Sequence, residues 1–397
     1  MTTSAAPFDS RLARIFTEVE SESQPQDFYH HKAKEVRLER IDGVVHLYRY
    51  DDILAVNRHP AVLGQGGRGS ILGSSSALIP LELDGPDHMK YRKLLDPLFA
   101  PKRVAELESS FRKLAAELID SFSDEEEVDL YEKFCVPLPC LTFLGLLGAP
   151  TEDLDFFLEF KDGVIHAEGN TAEEKMASAA VAGLKLYEYL NALIEERRKH
   201  PPRDDLLGTL MEGTVDGEPV TQLELLNMLF LLMFAGLDTV TASMSCIFAW
   251  LARNPDERDF LVENPTSIRA AVEELLRYES PVPSGTRYAT EDIDLGGEVI
   301  HAGEAIHAIW SAANADPAKI DNPLEVKFDR ARQIHMVFAS GTHRCLGSNL
   351  ARLELKLAVE EFHRRFPRYH ISPGKQPVYS NIAVRMVSYL PVTLRAD

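Results

Sequence analysis

The longest apolar stretch of the chain restricts its fold more than any other feature. Residues 221–255, TQLELLNMLFLLMFAGLDTVTASMSCIFAWLARNP, begin with Thr221 and Glu224 at capping-box spacing and end at Pro255. This pattern predicts a helix of about 33 residues and roughly 50 Å. Because the helix is apolar nearly all round, we expect it to run through the middle of a domain with other elements packed around it.

The rest of the chain predicts mainly helical structure. Helical periodicity dominates residues 86–280, whereas strand-like alternation is limited to residues 43–50, residues 293–309 and the C-terminal tail. No repeat, low-complexity tract or Gly/Ser linker divides the 397 residues. The sequence therefore predicts one domain, residues 1–397, of the mainly α (α+β) class, with a long central helix and small antiparallel β-sheets.

Charge and cysteine content exclude several kinds of partner. The formal net charge is −20 at pH 7, which disfavours nucleic acid or an anionic membrane as a partner. The first twenty residues lack an apolar core behind a basic patch, so we expect neither a signal peptide nor a membrane anchor. The spacing of the cysteines indicates reduced thiols and a cytoplasmic location. These cysteines are Cys135, Cys140, Cys246 and Cys345.

Two polar residues, Asp238 and Thr239, interrupt the apolar helix beside Gly236. A buried carboxylate costs several kcal/mol unless it is paired or neutralised. One interpretation is structural: Thr239 bonds back to the carbonyl four residues earlier, and Asp238 pairs with an Arg or Lys elsewhere. The other is functional: small Ala235 and Gly236 admit a ligand, and the acid and the alcohol handle protons in a dry cavity.

The segment FASGTHRCLG, residues 338–347, places Cys345 just before an amphipathic helix. Free N–H groups and the positive end of the helix dipole favour a thiolate there, which can bind a metal or attack carbon. Gly341 and Gly347 leave space for a broad flat ligand, and Phe338 could cover the other side of the sulfur. The alternative is an inert, half-buried cysteine.

Phe338, Gly341, His343, Cys345 and Gly347 together resemble the haem-binding signature of the cytochrome P450 family, F-x-x-G-x-x-x-C-x-G. The resemblance extends from about residue 40 to the C-terminus. It implies the cytochrome P450 fold, haem b as cofactor, and the Cys345 thiolate as ligand of the haem iron.

Two further motifs resemble the same family. AGLDT, residues 235–239, is similar to its oxygen-activating segment, which implies that Thr239 hydrogen-bonds dioxygen and that Asp238 relays protons from solvent. Glu274 and Arg277 have the family's E-x-x-R spacing, which implies a structural ion pair. A second arginine joins that pair in the family, and Arg330 is favoured over Arg332 for this role.

The resemblance also implies which residues bind the haem carboxylates. His88 and Arg92, four residues apart, point the same way on a predicted helix, and Arg287 and His343 match two further partners. These four donors could give two buried carboxylates the charge-assisted hydrogen bonds they need. The sequence departs from the usual pattern at Ala339, where glycine is common, and we expect the extra methyl group to be tolerated.

A monooxygenase of this family hydroxylates a small lipophilic substrate with dioxygen and two electrons from a separate redox partner. A basic cluster predicts docking of an acidic ferredoxin or flavodoxin. This cluster contains Lys90, Arg92, Lys93, Lys102, Arg103, Arg112, Lys113, Arg344 and Arg352. The segments expected to line the substrate pocket are residues 64–80, Met233, Phe234, Leu237, residues 282–284 and residues 382–384.

Three alternatives to this function remain open from the sequence. One is a peroxygenase that uses hydrogen peroxide directly, which the presence of Asp238 and Thr239 disfavours. Another is a non-catalytic haem-binding sensor or carrier. The third is a cysteine hydrolase with Cys345 as nucleophile and His343 as base, for which the spacing of the two residues is poor.

Overall fold

The computed structural model describes residues 24–66, 76–165, 171–381 and 384–395. Helices make up most of this part of the chain, as the periodicity predicts. They are α1 (Gln26–Glu35), α2 (Tyr50–Arg58), α3 (Gly85–Leu95), α4 (Pro101–Ala105), α5 (Glu108–Ser121), α6 (Pro137–Leu147), α7 (Leu154–Ile165), α8 (Ala172–Arg198), α9 (Leu206–Met211), α10 (Gln222–Arg253), α11 (Pro255–Glu263), α12 (Ile268–Glu279), α13 (Trp310–Ala313) and α14 (Ser348–Arg365).

The strands are short and lie mainly near the two ends of the described chain. They are β1 (Leu38–Ile41), β2 (Val44–Leu47), β3 (Val62–Leu63), β4 (Glu127–Asp129), β5 (Thr214–Val215), β6 (Glu218–Pro219), β7 (Ser284–Ala289), β8 (Ile293–Asp294), β9 (Val299–Ile300), β10 (Ala305–Ile309), β11 (His370–Ile371), β12 (Val378–Asn381), β13 (Arg385–Tyr389) and β14 (Pro391–Thr393). The largest sheet has the order β1-β2-β10-β7-β3. Its pairs are antiparallel except β2 with β10, which is parallel.

Helix α10 confirms the prediction of a long central helix, with 32 residues. Its capping box is formed: the Glu224 N–H donates to Thr221 Oγ1 at 3.3 Å, and the Thr221 N–H donates to Glu224 Oε2 at 2.8 Å. Within the described residues, α10 is the one helix long and apolar enough to cross a membrane. However, 72% of its most apolar window is buried inside the protein, as in a core helix.

The two halves of α10 belong to different parts of the core. Residues up to Leu237 pack in a cluster with α6, α7 and α8. Residues from Val240 onward pack in a second cluster with α5, α12, α14 and the C-terminal strands. Asp238 and Thr239 therefore lie between Leu237, which belongs to the first cluster, and Val240, which belongs to the second.

The E-x-x-R motif forms a buried ion pair on α12, as the resemblance implies. Arg277 donates from Nε to Glu274 Oε2 at 2.9 Å and from Nη2 to Oε1 at 2.8 Å. Arg330 completes the network by donating from Nε to Glu274 Oε1 at 2.7 Å. Arg330, and not Arg332, thus holds the segment that leads to the Cys345 loop, because its side chain bridges Glu274 and the carbonyls of residues 321–325.

Candidate active site

The Cys345 loop (residues 338–347) lies between α2 and the start of α14. The N–H of Cys345 donates to the carbonyl oxygen of Phe338 at 2.9 Å, and the N–H of Ala339 donates to that of Met336 at 2.8 Å. Gly347 is the N-cap residue of α14. The sulfur is therefore held two residues before a helix N-terminus, where the sequence placed it.

The two glycines of this loop have different roles. Gly341 has a φ of +76°, and a Cβ atom there would lie 1.9 Å from the carbonyl oxygen of Asn57, at the end of α2. A Cβ on Gly347 would meet no atom within 4 Å. The expectation that both glycines make room for a flat ligand is thus wrong for Gly341, which is required by the close approach of α2.

Ala339 adopts a left-handed backbone conformation with a φ of +52°. For a residue with a Cβ atom this region costs about 1 kcal/mol or more, because Cβ comes too close to the following carbonyl oxygen. The sequence predicts that the methyl group is tolerated. The structure accommodates it, but with backbone strain that a glycine would avoid.

A cavity of about 380 Å³ opens beside Cys345. Its lining is mainly apolar, which makes it suitable for a hydrophobic ligand. The apolar side chains on it include Phe99, Phe143, Leu231, Leu232, Val240, Val282, Val337, Phe338, Leu350 and Leu355. The Cys345 side chain is accessible to this space although the residue lies deep within the fold.

Helix α10 contributes one face to the cavity. This face carries Leu231, Leu232, Ala235, Gly236, Thr239, Val240 and Ser243, which follow the helical period. Met233, Phe234 and Leu237 were expected on the lining, but they lie on other faces of the helix within the described structure. Val282 is on the lining as expected. Residues 67–75 and 382–383 of the expected pocket segments lie outside the described residues.

Thr239 and Asp238 point in different directions. Thr239 lines the cavity, and its hydroxyl donates to the carbonyl oxygen of Ala235 at 2.9 Å, as the structural interpretation predicts. Asp238 is buried, and its charge acts on Lys161 of α7. Burial opposes the ammonium form of Lys161, but electrostatic interactions with Tyr131, Asp162 and Asp238 raise its pKa above the ordinary value. Asp238 and Lys161 thus interact electrostatically, while the ion pair of Lys161 is with Asp162.

His88, Arg92 and His343 line one end of the cavity. The two imidazole rings lie 4.2 Å apart. His88 is within hydrogen-bond distance of the carbonyl oxygens of Pro80, at 3.1 Å from Nδ1, and Thr342, at 3.2 Å from Nε2. Arg92 donates to the carbonyl of Arg344 at 2.9 Å. Three of the four predicted donors are thus together, and each already has a protein partner.

Asp84 lies beside the end of the cavity that His343 lines, and the sequence did not predict this. It lies 3.0 Å from Nε2 of His343 and accepts the N–H groups of residues 64–66. Burial alone would raise the pKa of Asp84, but these hydrogen bonds lower it. Burial and the nearby charges of His88 and Arg287 lower the pKa of His343 to about 4, so that its imidazole is neutral at pH 7.

Two other polar residues on the cavity were also missed. Trp310 lines it, and its indole N–H has no acceptor within the described residues. Glu354 lines it as well, and burial raises the pKa of its carboxyl group to about 8. A sequence signal existed for Glu354, an acid within the apolar stripe of Ala351 and Leu355. None existed for Trp310.

Comparison with known proteins agrees with this geometry. Residues 173–392 match the family described as Cytochrome P450. The Steroid C26-monooxygenase of Mycobacterium tuberculosis (strain H37Rv) is 31% identical over 328 residues, covering 82% of each chain. The polyketide biosynthesis cytochrome P450 PksS of Bacillus subtilis (strain 168) is 33% identical over 318 residues, which cover 79% of this chain and 77% of PksS. The chain belongs to the cytochrome P450 family.

Solved structures confirm the fold of this P450. The PksS structure has a TM-score of 0.86 and 29% identity, with 95% of this chain and 99% of PksS covered. CYP109E1 from Bacillus megaterium, in complex with testosterone, has a TM-score of 0.85 and 26% identity, with 96% and 100% covered. Membership of the family makes this P450 a monooxygenase with haem b as its cofactor.

The residues around the cavity fit haem b. Cys345 offers a sulfur ligand to it, and the space over Gly347 is open. Arg287 is not on the cavity lining of the described residues, but it lies beside Trp310, across Gly285. Burial lowers the pKa of Arg287, and within the described residues no carboxylate pairs with it. A buried cation of this kind suits a carboxylate supplied by the cofactor.

The surroundings of Cys345 favour the protonated thiol, and a bound metal would favour the thiolate instead. Burial raises the pKa of this thiol above the ordinary value, while the N–H of Gly347 and the charges of Arg92, Arg352 and Arg344 act in the opposite direction. Coordination to a metal deprotonates a thiol outright. These donors are therefore positioned to support the thiolate once a metal is bound.

Two substitutions in the Cys345 loop, with opposite expected effects on stability, test the backbone conformations described for Ala339 and Gly341. We expect Ala339→Gly to stabilise the holoenzyme by about 1 kcal/mol, because glycine removes the left-handed strain. We expect Gly341→Ala to destabilise it by several kcal/mol, because the new Cβ atom overlaps the Asn57 carbonyl oxygen. Chemical denaturation followed by circular dichroism measures both. A Gly341→Ala variant as stable as the parent would contradict the role given to α2.

Proposed function

We propose that this P450 hydroxylates a lipophilic small molecule, with Cys345 as the thiolate ligand of the haem and with electrons from a separate ferredoxin or flavodoxin. The observation that carries the proposal is that Cys345 and Thr239 line the same apolar cavity. When bound, haem supplies the reductive activation of dioxygen, for which the thiolate donates electron density. The apolar walls exclude water and keep the substrate in place.

Thr239 is proposed to control proton delivery into the cavity. Its hydroxyl proton is engaged by Ala235, which leaves the oxygen lone pairs available to accept a hydrogen bond on the cavity side. Rotation about the C–O bond would turn it into a donor. Asp238, next to it and interacting electrostatically with Lys161 of α7, is proposed to pass protons from that side. A hydrolase in which His343 activates Cys345 gains no support, because within the described residues no hydrogen bond joins the imidazole of His343 to the sulfur of Cys345.

The proposed substrate is a mainly apolar molecule. The lining of Phe143, Leu231, Leu232, Val240 and Val282 supports this, since it offers dispersion contacts and few polar ones. Relatives named for a steroid and for polyketide biosynthesis support substrates with a large hydrocarbon skeleton. The shift of the haem absorption band on titration with steroids, polyketides and fatty acids identifies the class that enters.

The unit that performs this function is proposed to be one domain, residues 1–397, located in the cytoplasm. Both core clusters share α10, which supports a single domain. All four cysteines are free in the structure, which supports a reducing compartment.

Replacing the sulfur tests the proposed ligand. We expect Cys345→Ala to lose the thiolate-type absorption band of the reduced carbon monoxide complex, because no other residue replaces the anionic sulfur. Cys140→Ala is a matched control, since Cys140 is a buried free thiol that is not on the cavity lining. We expect its spectrum to equal that of the parent. An unchanged spectrum in Cys345→Ala would refute the ligand assignment.

Two threonines two residues apart test the proton role. We expect Thr239→Val to keep the haem and to divert reducing equivalents to peroxide, with coupling to product reduced severalfold or more. Thr241→Val is the control: Thr241 makes the same type of hydrogen bond, to Leu237 at 2.8 Å, but is fully buried away from the cavity. Product and peroxide yields per NAD(P)H measure the difference. Equal coupling in the two variants would contradict the assignment.

The basic cluster proposed for the redox partner is mostly engaged in ion pairs. Arg103 pairs with Asp204 at 2.6 Å, and Arg112 pairs with Glu360 at 2.6 Å. Within the described residues, the members of the predicted cluster without a carboxylate partner are Lys93, Lys102 and Arg344, and Arg269 has none either. Arg269 was not in the predicted cluster. Arg269 lines the same surface groove as Pro101 and Asn349. These four cations define the proposed docking face.

Charge reversal on the docking face tests the partner proposal. We expect Lys93→Glu and Lys102→Glu each to weaken reduction by an acidic ferredoxin severalfold at low salt, with the loss shrinking at high salt. Lys185→Glu, an exposed lysine on α8 without an ion pair in the described structure, is the control and should have no effect. Reduction kinetics with saturating substrate measure this. If peroxide alone, without any reductase, supports turnover as fast as the complete electron-transfer system does, this result would favour a peroxygenase instead.

A further inference from the structure

Four residues form a compact group behind the Cys345 loop, which we call the Glu273 cluster: Glu273, His335, Phe338 and Arg352. Arg352 donates to Glu273 from Nε at 2.5 Å and from Nη2 at 2.9 Å. His335 Nε2 lies 2.9 Å from Oε2 of Glu273, the oxygen that also accepts the hydrogen bond from Arg352 Nη2. The guanidinium of Arg352 stacks over the Phe338 ring at 4.3 Å from its centroid.

The cluster is sheltered from solvent. The side chains of His335, Glu273 and Arg352 are 3%, 14% and 27% exposed. Burial opposes ionisation of Glu273, yet its hydrogen bonds with His335 and Arg352 lower its pKa to about 2. Glu273 therefore carries a full negative charge, and Arg352 a full positive charge, in a place where water screens them poorly.

Phe338 connects this cluster to the sulfur. Its carbonyl oxygen accepts the N–H of Cys345 at 2.9 Å, and its ring is on the cavity lining with Cys345. Arg344, the residue before Cys345, is exposed, so water screens its charge more strongly than that of the partly buried Arg352. Arg352 lines the same surface groove as Arg269, but its guanidinium is held by Glu273 and stacked on Phe338.

A fixed charge near a redox centre changes its affinity for an electron in a known direction. A cation favours the reduced, more negative state, and an anion disfavours it. Arg352 and Glu273 are thus opposed in sign, and each holds the other at a defined distance from the sulfur.

We propose that Arg352 and Glu273 set the reduction potential of the haem through their opposed charges behind Phe338. This makes them tuning and positioning residues, because neither needs to touch the haem. The inference rests on the proposed role of Cys345 as haem ligand.

The test is potentiometric titration of substrate-free holoenzyme variants. We expect Arg352→Gln to lower the potential and Glu273→Gln to raise it, and we expect the double variant to lie between them. Arg344→Gln is the matched control, since it removes the same charge from an exposed arginine beside Cys345. We expect its shift to be smaller than that of Arg352→Gln. Arg352→Lys, which keeps the charge, should stay close to the parent.

A purely structural cluster would behave differently. Shifts of the same sign in Arg352→Gln and Glu273→Gln, no shift in either, or an Arg344→Gln shift as large as that of Arg352→Gln would each overturn the inference. If Arg352→Gln or Glu273→Gln does not retain haem, the Arg352→Lys and Arg344→Gln pair decides: a larger shift in Arg352→Lys overturns the inference, and a larger shift in Arg344→Gln supports it. The reduced carbon monoxide spectrum of the parent separates the two proposals, because its failure would concern Cys345 alone.

Discussion

The Cys345 loop depends on one close backbone contact, that between Gly341 and the end of α2. The loop has room for no Cβ atom at residue 341, since the carbonyl oxygen of Asn57 occupies that position. Asn57 also donates from Nδ2 to Ser340 Oγ at 3.1 Å. These contacts, together with the backbone hydrogen bond between Cys345 and Phe338, fix the position of the sulfur before a ligand binds. A preorganised sulfur spends no binding energy on ordering the loop.

The central helix supplies the other side of this arrangement. Because α10 is buried on almost every face, a ligand can reach it only where small residues replace large ones, at Ala235 and Gly236. The polar pair that follows lies at the boundary between the two core clusters. The carboxylate of Asp238 is buried there and interacts electrostatically with Lys161, at a point where the core is less continuous.

The sequence predicted the fold class, the sulfur and Thr239 because each rests on local spacing. It misjudged the cavity face of α10, although a signal was present: Ala235 and Leu231 precede Thr239 by four and eight residues, whereas Leu237 and Met233 do not share that face. No such signal exists for Asn57 against Gly341, or for Arg103 with Asp204, 101 residues apart. Those contacts follow from the packing of distant segments, which periodicity does not encode.

The cations around the sulfur fall into two groups, those paired with carboxylates and those without a carboxylate partner. Paired arginines such as Arg112 and Arg352 are tied to carboxylates and fix helices to one another. In the described part of the chain, only a few cations near the sulfur lack a carboxylate partner, and the whole chain has a net charge of −20. Attraction of an acidic protein to so small a patch is opposed at long range by the rest of the surface. The resulting complex would be weak and short-lived, which suits a donor that must bind, pass one electron and leave within each catalytic cycle.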